Sequence, residues 1–315
     1  MPSNRTEASN PAARGLDLLS DVEITRLLGR GQQSALSALD GAISEISQAG
    51  TRMAQVVAAG GRLFYAAAGS SGLMALADAA ELSGTFGIPT TQIRVLMAGG
   101  IPVDARMPGH TEDDADDARH DAGDIAAGDM VIAVSASGST PYAMEVARIA
   151  RTRGAAVVCI ANNRGAAIFA LADIAICLET PPEVLAGSTR MGAGSAQKAA
   201  LNMMSTLMGV RLGHVHDGLM VNLVADNEKL RARAVDIVCQ ITDAPPARAA
   251  EAIAQARGAI KPAVLLVAGA ADVVEATALL VETDGNLRAA LARIQGVSAP
   301  QVLEQATNRN LGREK

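Results

Sequence analysis

The rhythm of polar and apolar positions changes three times along the chain. The first 18 residues are predominantly polar, with Pro2 and Pro11, and such a stretch read alone is expected to be disordered. Ser20 and Glu23 then stand at capping-box spacing, and apolar residues recur at helical intervals through Leu36, Leu39, Ile43, Ile46, Met53 and Val57. That pattern predicts helix up to Gly60 and Gly61, with a break near Gly29 to Gly31.

From Arg62 the texture becomes one of short apolar runs closed by small or polar residues. RLFYAAAGSSG (62–72), IRVLMAGG (93–100), MVIAVSASGS (130–139), AAVVCIANN (155–163) and DIAICLE (173–179) read as five strands, four of them followed by a helix or loop crossover. The expected fold is α/β: a doubly wound, mostly parallel five-stranded sheet with helices on both faces. Residues 192–213, rich in Ala, Met and Leu, predict a long buried helix. The remainder is Ala-rich and helical. At a period of 27 residues, 249–265 resembles 276–292, pairing Gly258 with Gly285, Ile260 with Leu287 and Val264 with Leu291. Two copies of a helix-turn-helix unit are expected, too few for a free-standing solenoid. The predicted organisation is an N-terminal arm and helix (1–60), an α/β domain (61–225) and a C-terminal helical subdomain (226–315).

Composition narrows the functions open to such a fold. A net charge of −6 and a pI near 5.3 argue against a phosphate-backbone binder, and 2% aromatic residues with no Trp leave little for base stacking. No nucleic acid partner is expected. No apolar run reaches membrane-spanning length and the N-terminus lacks a signal-peptide core, so the protein is expected to be cytoplasmic, with no membrane contact. Cys159, Cys177 and Cys239 are read as reduced thiols in apolar contexts. The pair His214 and His216 has no third ligand at a recognised spacing, and His110 and His120 also lack company, so no metal is expected.

Chemistry concentrates at two strand ends. VSASGSTPY places Ser135, Ser137, Ser139 and Thr140 between a strand and a helix, with Pro141 suited to the first helical turn and Thr140 to its N-cap. AAAGSSG repeats that chemistry earlier, with Ser70 and Ser71. Hydroxyls and backbone amides at a helix start can hold a phosphate without Lys or Arg. Neither loop has the spacing of a dinucleotide fingerprint or a P-loop, so the pair points to a sugar phosphate. Glu81 in DAAELSGTFG and Glu112 in PGHTEDDADD are the acidic candidates.

These loops resemble those of sugar isomerase (SIS) domains. Nearly the whole chain is similar to the N-acetylmuramic acid 6-phosphate etherases, a family related to the glucokinase regulatory protein. The similarity runs through TEASNP (6–11), GRLFYAAAGSSG, DAAELSGTFG, LMAGG (96–100), SASGSTPY, PPEVLAGSTRMGAGSAQKAALNMMSTLMGVRLGHV (181–215) and LMVNLVADNEKL (219–230). It implies a carbon-oxygen lyase that cleaves the D-lactyl ether to give N-acetylglucosamine 6-phosphate and D-lactate in the recycling of cell-wall muropeptides. By position it implies Glu81 as catalytic acid and Glu112 as base, and Ser70, Ser71, Ser135, Ser137, Ser139 and Thr140 around the phosphate. Glu183, Ser188, Thr189 and Arg190 would also line the site, with no metal or organic cofactor and with a homodimer whose surface includes residues 192–213 and 225–241.

The chain departs from the family pattern at Leu73, where an Arg is usual, at Gly192, where a Lys is usual, and at Leu82, Ser83 and Gly84, which replace Cys-Pro-Pro. Two alternatives therefore stand beside the etherase. A phosphosugar isomerase begins with the same C2 deprotonation, and a non-catalytic sugar-phosphate sensor needs only the binding loops.

Overall fold

The computed structural model describes residues 5–107 and 111–296. His110 and residues 297–315 of the expected C-terminal subdomain lie outside the described residues. The chain divides into two compact units, one comprising Met1–Glu81 and Pro89–Met208, the other Leu82–Ile88 and Gly209–Lys315. The sequence places its boundaries at residues 60 and 225 instead. Two long helices run across the observed boundaries without a break, so no change of composition marks them.

In the first unit, α1 (Asp21–Leu36) starts as its capping box predicts, with Glu23 Oε2 accepting from the Ser20 N–H at 2.9 Å. It does not break at Gly29 to Gly31. A Cβ on Gly31 would stand 2.8 Å from Val184 Cγ2, so this glycine serves close packing rather than a turn. The interruption comes later, as a 3-10 segment from Ser37 to Ala42, before α2 (Ile43–Ala58).

Then follow β1 (Leu63–Ala67), α3 (Gly69–Phe86), β2 (Ile93–Met97), α4 (Ala115–Asp121), β3 (Met130–Val134), α5 (Pro141–Thr152), β4 (Ala156–Ala161), β5 (Ile174–Cys177) and α6 (Gly192–Arg211). All five expected strands form, and every pairing in the order β2-β1-β3-β4-β5 is parallel. Phe64, Ala66, Val131, Ala133, Val157 and Cys159 pack with Tyr142, Val146 and Ala150 of α5 in one core cluster. The alternate residue Tyr65 points to the opposite face, where its hydroxyl donates to Asp78 of α3 at 2.8 Å. Helices thus cover both faces, and β1 and β3 are buried along their whole length. Burial pushes the Cys159 thiol up to about 12, helped by the charge of Asp173, so it is a packing residue and no nucleophile. The long helix α6 is buried on one face only, through Ala196, Ala200, Leu201 and Met204, while Lys198 and Thr206 are exposed.

The N-terminal arm is folded from Arg5 onward, contrary to the disorder expected of it. Three short 3-10 turns form, and Thr6 is only 4% exposed. Composition misleads here because the arm's polar groups are satisfied by residues more than 150 positions away.

The second unit contains a two-stranded hairpin, β6 (Val215–His216) and β7 (Leu219–Met220), turning at Asp217 and Gly218, both with positive φ. The Asp-Gly pair is the sequence signal for it. Helices α7 (Glu228–Thr242), α8 (Pro246–Gln255), α9 (Ile260–Ala268), α10 (Val273–Glu282) and α11 (Leu287–Ile294) follow. The 27-residue repeat appears as α8-α9 and α10-α11. Both turns use a left-handed pair, Arg257-Gly258 and Asp284-Gly285, and both enter the second helix at a buried apolar residue, Ile260 or Leu287.

Candidate functional site

The strand order reverses between β1 and β3, the switch point at which an open parallel sheet leaves a crevice at its carboxyl ends. Ala67 pairs with Val134, so the loops leaving these two strands start side by side, ~5 Å apart at ordinary strand spacing. Those loops are the two hydroxyl-rich segments found in the sequence. The first turns at Gly69 (φ 54°) and puts Ser70 and Ser71 into the first turn of α3, where backbone N–H groups have no helical partner. The second turns at Gly138 (φ 72°), where a Cβ would stand 2.3 Å from that of Ala166.

The hydroxyls of the second loop divide into two kinds. Ser135 is 2% exposed, accepts from the Gly138 N–H at 3.0 Å and bonds Thr140 Oγ1 at 2.8 Å. It holds the loop in shape. Thr140 occupies the N-cap position of α5 and Pro141 follows at N1, but the Thr140 side chain makes no cap bond because it is turned to Ser135. Ser137 Oγ accepts from the N–H and the hydroxyl of Ser139 at 3.2 and 3.1 Å, and this pair lies at the outer side of the loop.

Glu112 lies in a 3-10 turn after β2, and its Oε1 is 2.5 Å from where a Cβ on Gly69 would be. The fold therefore brings Glu112 to the first loop, and only glycine at 69 leaves room for it. Glu81 is elsewhere. It sits twelve residues further along α3, about 18 Å by helical rise, and is exposed. One chain does not bring the two carboxylates together, although they are 31 positions apart in a single helix-strand-turn segment.

The third segment precedes α6. Glu183 is 7% exposed and its two oxygens accept from the N–H groups of Gly192 and Ala193 at 3.0 and 2.8 Å. Its carboxylate is thus occupied as the N-terminal cap of α6. A Cβ on Gly192 would stand 2.8 Å from that of Ala35, so the family's Lys does not fit here with α1 in this place. Ser188, Thr189 and exposed Arg190 stand in the turn just before the helix, where the Thr189 carbonyl accepts from the Gly194 N–H at 2.8 Å.

Asn163 is the residue that sequence reasoning missed. Its Oδ1 accepts from the Arg5 N–H at 2.8 Å, and its Nδ2 donates to Thr6 Oγ1 at 3.1 Å and to the carbonyls of Ala136 and Ser137 at 3.3 Å. Arg5 also reaches Glu179 at 2.8 Å, and Asn10 donates to the Pro182 carbonyl at 2.9 Å. The arm thereby ties the second hydroxyl loop to the segment before α6. Replacing Asn163 with Leu is expected to raise KM for a sugar phosphate about tenfold, with kcat much less affected, because ~1.4 kcal/mol of loop preorganisation is lost. Steady-state kinetics check this, and an unchanged KM overturns it. Among the described residues no group of His, Cys, Asp and Glu is arranged to hold a metal ion.

The family described as SIS domain matches residues 108–207. An N-acetylmuramic acid 6-phosphate etherase from Streptomyces avermitilis is 41% identical over 292 residues, covering 91% of this chain and 93% of the relative. The chain belongs to the N-acetylmuramic acid 6-phosphate etherase family. Etherases of the same name from Serratia proteamaculans and Geobacillus thermodenitrificans are 39% and 37% identical, each covering 91% of this chain and 98% of the relative. A solved phosphoheptose isomerase from Francisella tularensis is similar at TM-score 0.46 and 15% identity, over 61% of this chain and all of that one. At Gly192 the close approach of Ala35 leaves no room for the Lys expected from the resemblance. At Leu73, half-buried on α3, nothing in the structure explains the absence of the Arg expected from the resemblance.

Proposed function

We propose that this etherase family member cleaves the D-lactyl ether of N-acetylmuramic acid 6-phosphate, acting as a cytoplasmic homodimer in the recycling of cell-wall fragments. The observation that carries the reading is the Glu112 carboxylate at Gly69, at the edge of two hydroxyl-rich loops on a sheet switch point. The phosphate would be held by Ser70, Ser71, Ser137, Ser139 and the N–H groups opening α3 and α5. Ser135 and Thr140 would fix the loop, and Arg190 would meet the lactyl carboxylate.

In the ring-opened sugar the C2 proton is α to the aldehyde. Glu112 removes it, the C2–H electron pair forms the C2–C3 double bond, and the C3–O pair leaves with the lactyl oxygen, which takes a proton from Glu81. Water then adds at C3 and a proton returns to C2. The products are N-acetylglucosamine 6-phosphate and D-lactate. No step calls on a metal or organic cofactor.

Because about 18 Å of helix separates Glu81 from the loop that Glu112 touches, the acid and base of one site would come from different chains. A dimer in which each α3 presents Glu81 to its partner's loops satisfies this. The test of the reaction is D-lactate release in oxygen-18 water, with label expected at C3 of the sugar product. Binding of the sugar phosphate without release, or label absent from C3, overturns the elimination-hydration reading.

A further inference from the structure

The second unit holds a buried cation that the lyase site does not use. Lys261 is 7% exposed, and its Nζ donates to the Gly285 carbonyl at 2.9 Å. It forms no salt bridge among the described residues. A buried ammonium without a counter-charge is costly, and the structure leaves space beside it. A cavity of about 370 Å³ is lined by Lys261, Asn222, Gly285 and Ile260, with Val221 and Leu280 among its apolar walls. Burial pulls the Lys261 amine down to about 8, which leaves it mostly charged at neutral pH. Its neighbour His214 is brought down to about 4, first by burial and then by the Lys261 charge, and the buried His214 Nδ1 has no hydrogen-bond partner among the described residues.

The internal repeat says what is missing. Shifting by 27 residues superposes Ala259 on Asn286 and Lys261 on Arg288. In the second copy, Asn286 caps α11 by accepting from the Ala289 N–H at 3.0 Å, and Arg288 pairs with Asp217. In the first copy, Ala259 stands at the N-cap of α9 and Pro262, which has no N–H, at the place of Ala289, while Lys261 has no carboxylate. The cation of the second copy is thus paired by a carboxylate of the hairpin, whereas Lys261 has none and lines the cavity instead.

We propose that this cavity binds a small oxyanion, a phosphate or a carboxylate, held by the Lys261 ammonium and the backbone N–H groups of Ile260 and Lys261 that open α9. The apolar walls leave room for a short carbon chain attached to it.

The test is calorimetric titration of the full-length protein with inorganic phosphate and, separately, acetate at matched ionic strength. It is performed in a Ser137→Ala, Ser139→Ala background that weakens the lyase-site loop. Saturable binding is expected, weakened about tenfold or more by adding Lys261→Met, as for loss of a charged hydrogen bond. Ala259→Asp, which places a carboxylate on the cavity wall beside the lysine, is expected to weaken it as well while leaving the lysine in place. In anion-free buffer the Lys261→Met protein should melt no lower than its parent, since an unpaired buried charge has been removed. The stronger of the two probes identifies the class of ligand. Binding of both probes unchanged by Lys261→Met and Ala259→Asp overturns the proposal. So does a lower melting temperature of Lys261→Met without anion, which would make the lysine a structural strut to Gly285.

Discussion

Mixing Glu81→Gln protein with Glu112→Gln protein is expected to restore D-lactate release that neither has alone. Each variant should lose roughly 10²- to 10⁴-fold in kcat, the usual contribution of a positioned acid or base. If the acid crosses from one chain to the other, a heterodimer of the two variants contains one site with both mutations and one with neither. Random exchange of equal amounts then returns roughly a quarter of wild-type activity, since half the dimers are mixed and each has one intact site. The argument rests on α3: Gly69 at its start touches Glu112, whereas Glu81 lies three turns further on. Exchange is verified by native mass spectrometry with one variant isotopically labelled. Confirmed exchange with no recovery of activity sinks the crossed site and requires both carboxylates to act from one chain.

The second large effect is on stability. Asp78, 2% exposed on α3, accepts from Tyr65 of β1 at 2.8 Å and from Asn202 and Ser205 of α6 at 2.7 and 2.8 Å. One carboxylate thus joins the sheet to two helices. Burial and the adjacent Asp78 charge hold the Tyr65 hydroxyl well above its ordinary range, so it stays a donor at any working pH. Asp78→Ala strands two buried donors, Tyr65 and Ser205, at ~1–3 kcal/mol each, and a third, Asn202, that is partly buried. A loss of at least about 3 kcal/mol, or roughly 10 °C in Tm, is expected. Differential scanning calorimetry measures it, and a shift below about 2 °C would mean that water replaces the carboxylate. Asp78→Asn keeps an acceptor for part of this network and should recover part of the loss.

The five strands, the capping box of α1 and the 27-residue repeat were all legible in the sequence, because each depends on local period and on a few turn residues. VSASGSTPY and AAAGSSG were legible as loops of the same chemistry. The arm was not, since nothing near Thr6 in the sequence announces that Asn163 will satisfy it. Gly31 and Gly192 illustrate the same gap: each was read without its neighbour, Val184 or Ala35, and the neighbour is what demands the glycine. Glu183 was assigned to the site by resemblance, and the fold spends its carboxylate on the first turn of α6.

By itself, then, the sequence determined the α/β class, the parallel sheet and the hydroxyl chemistry, since side-chain periodicity and turn preference act over a few residues. Only the tertiary structure decided the strand order that sets the two loops side by side, the placing of Glu112 on Gly69 and the distance that keeps Glu81 from it. Those depend on which strand pairs with which and on the rigid length of a helix, and contacts of that kind join residues that no local pattern connects.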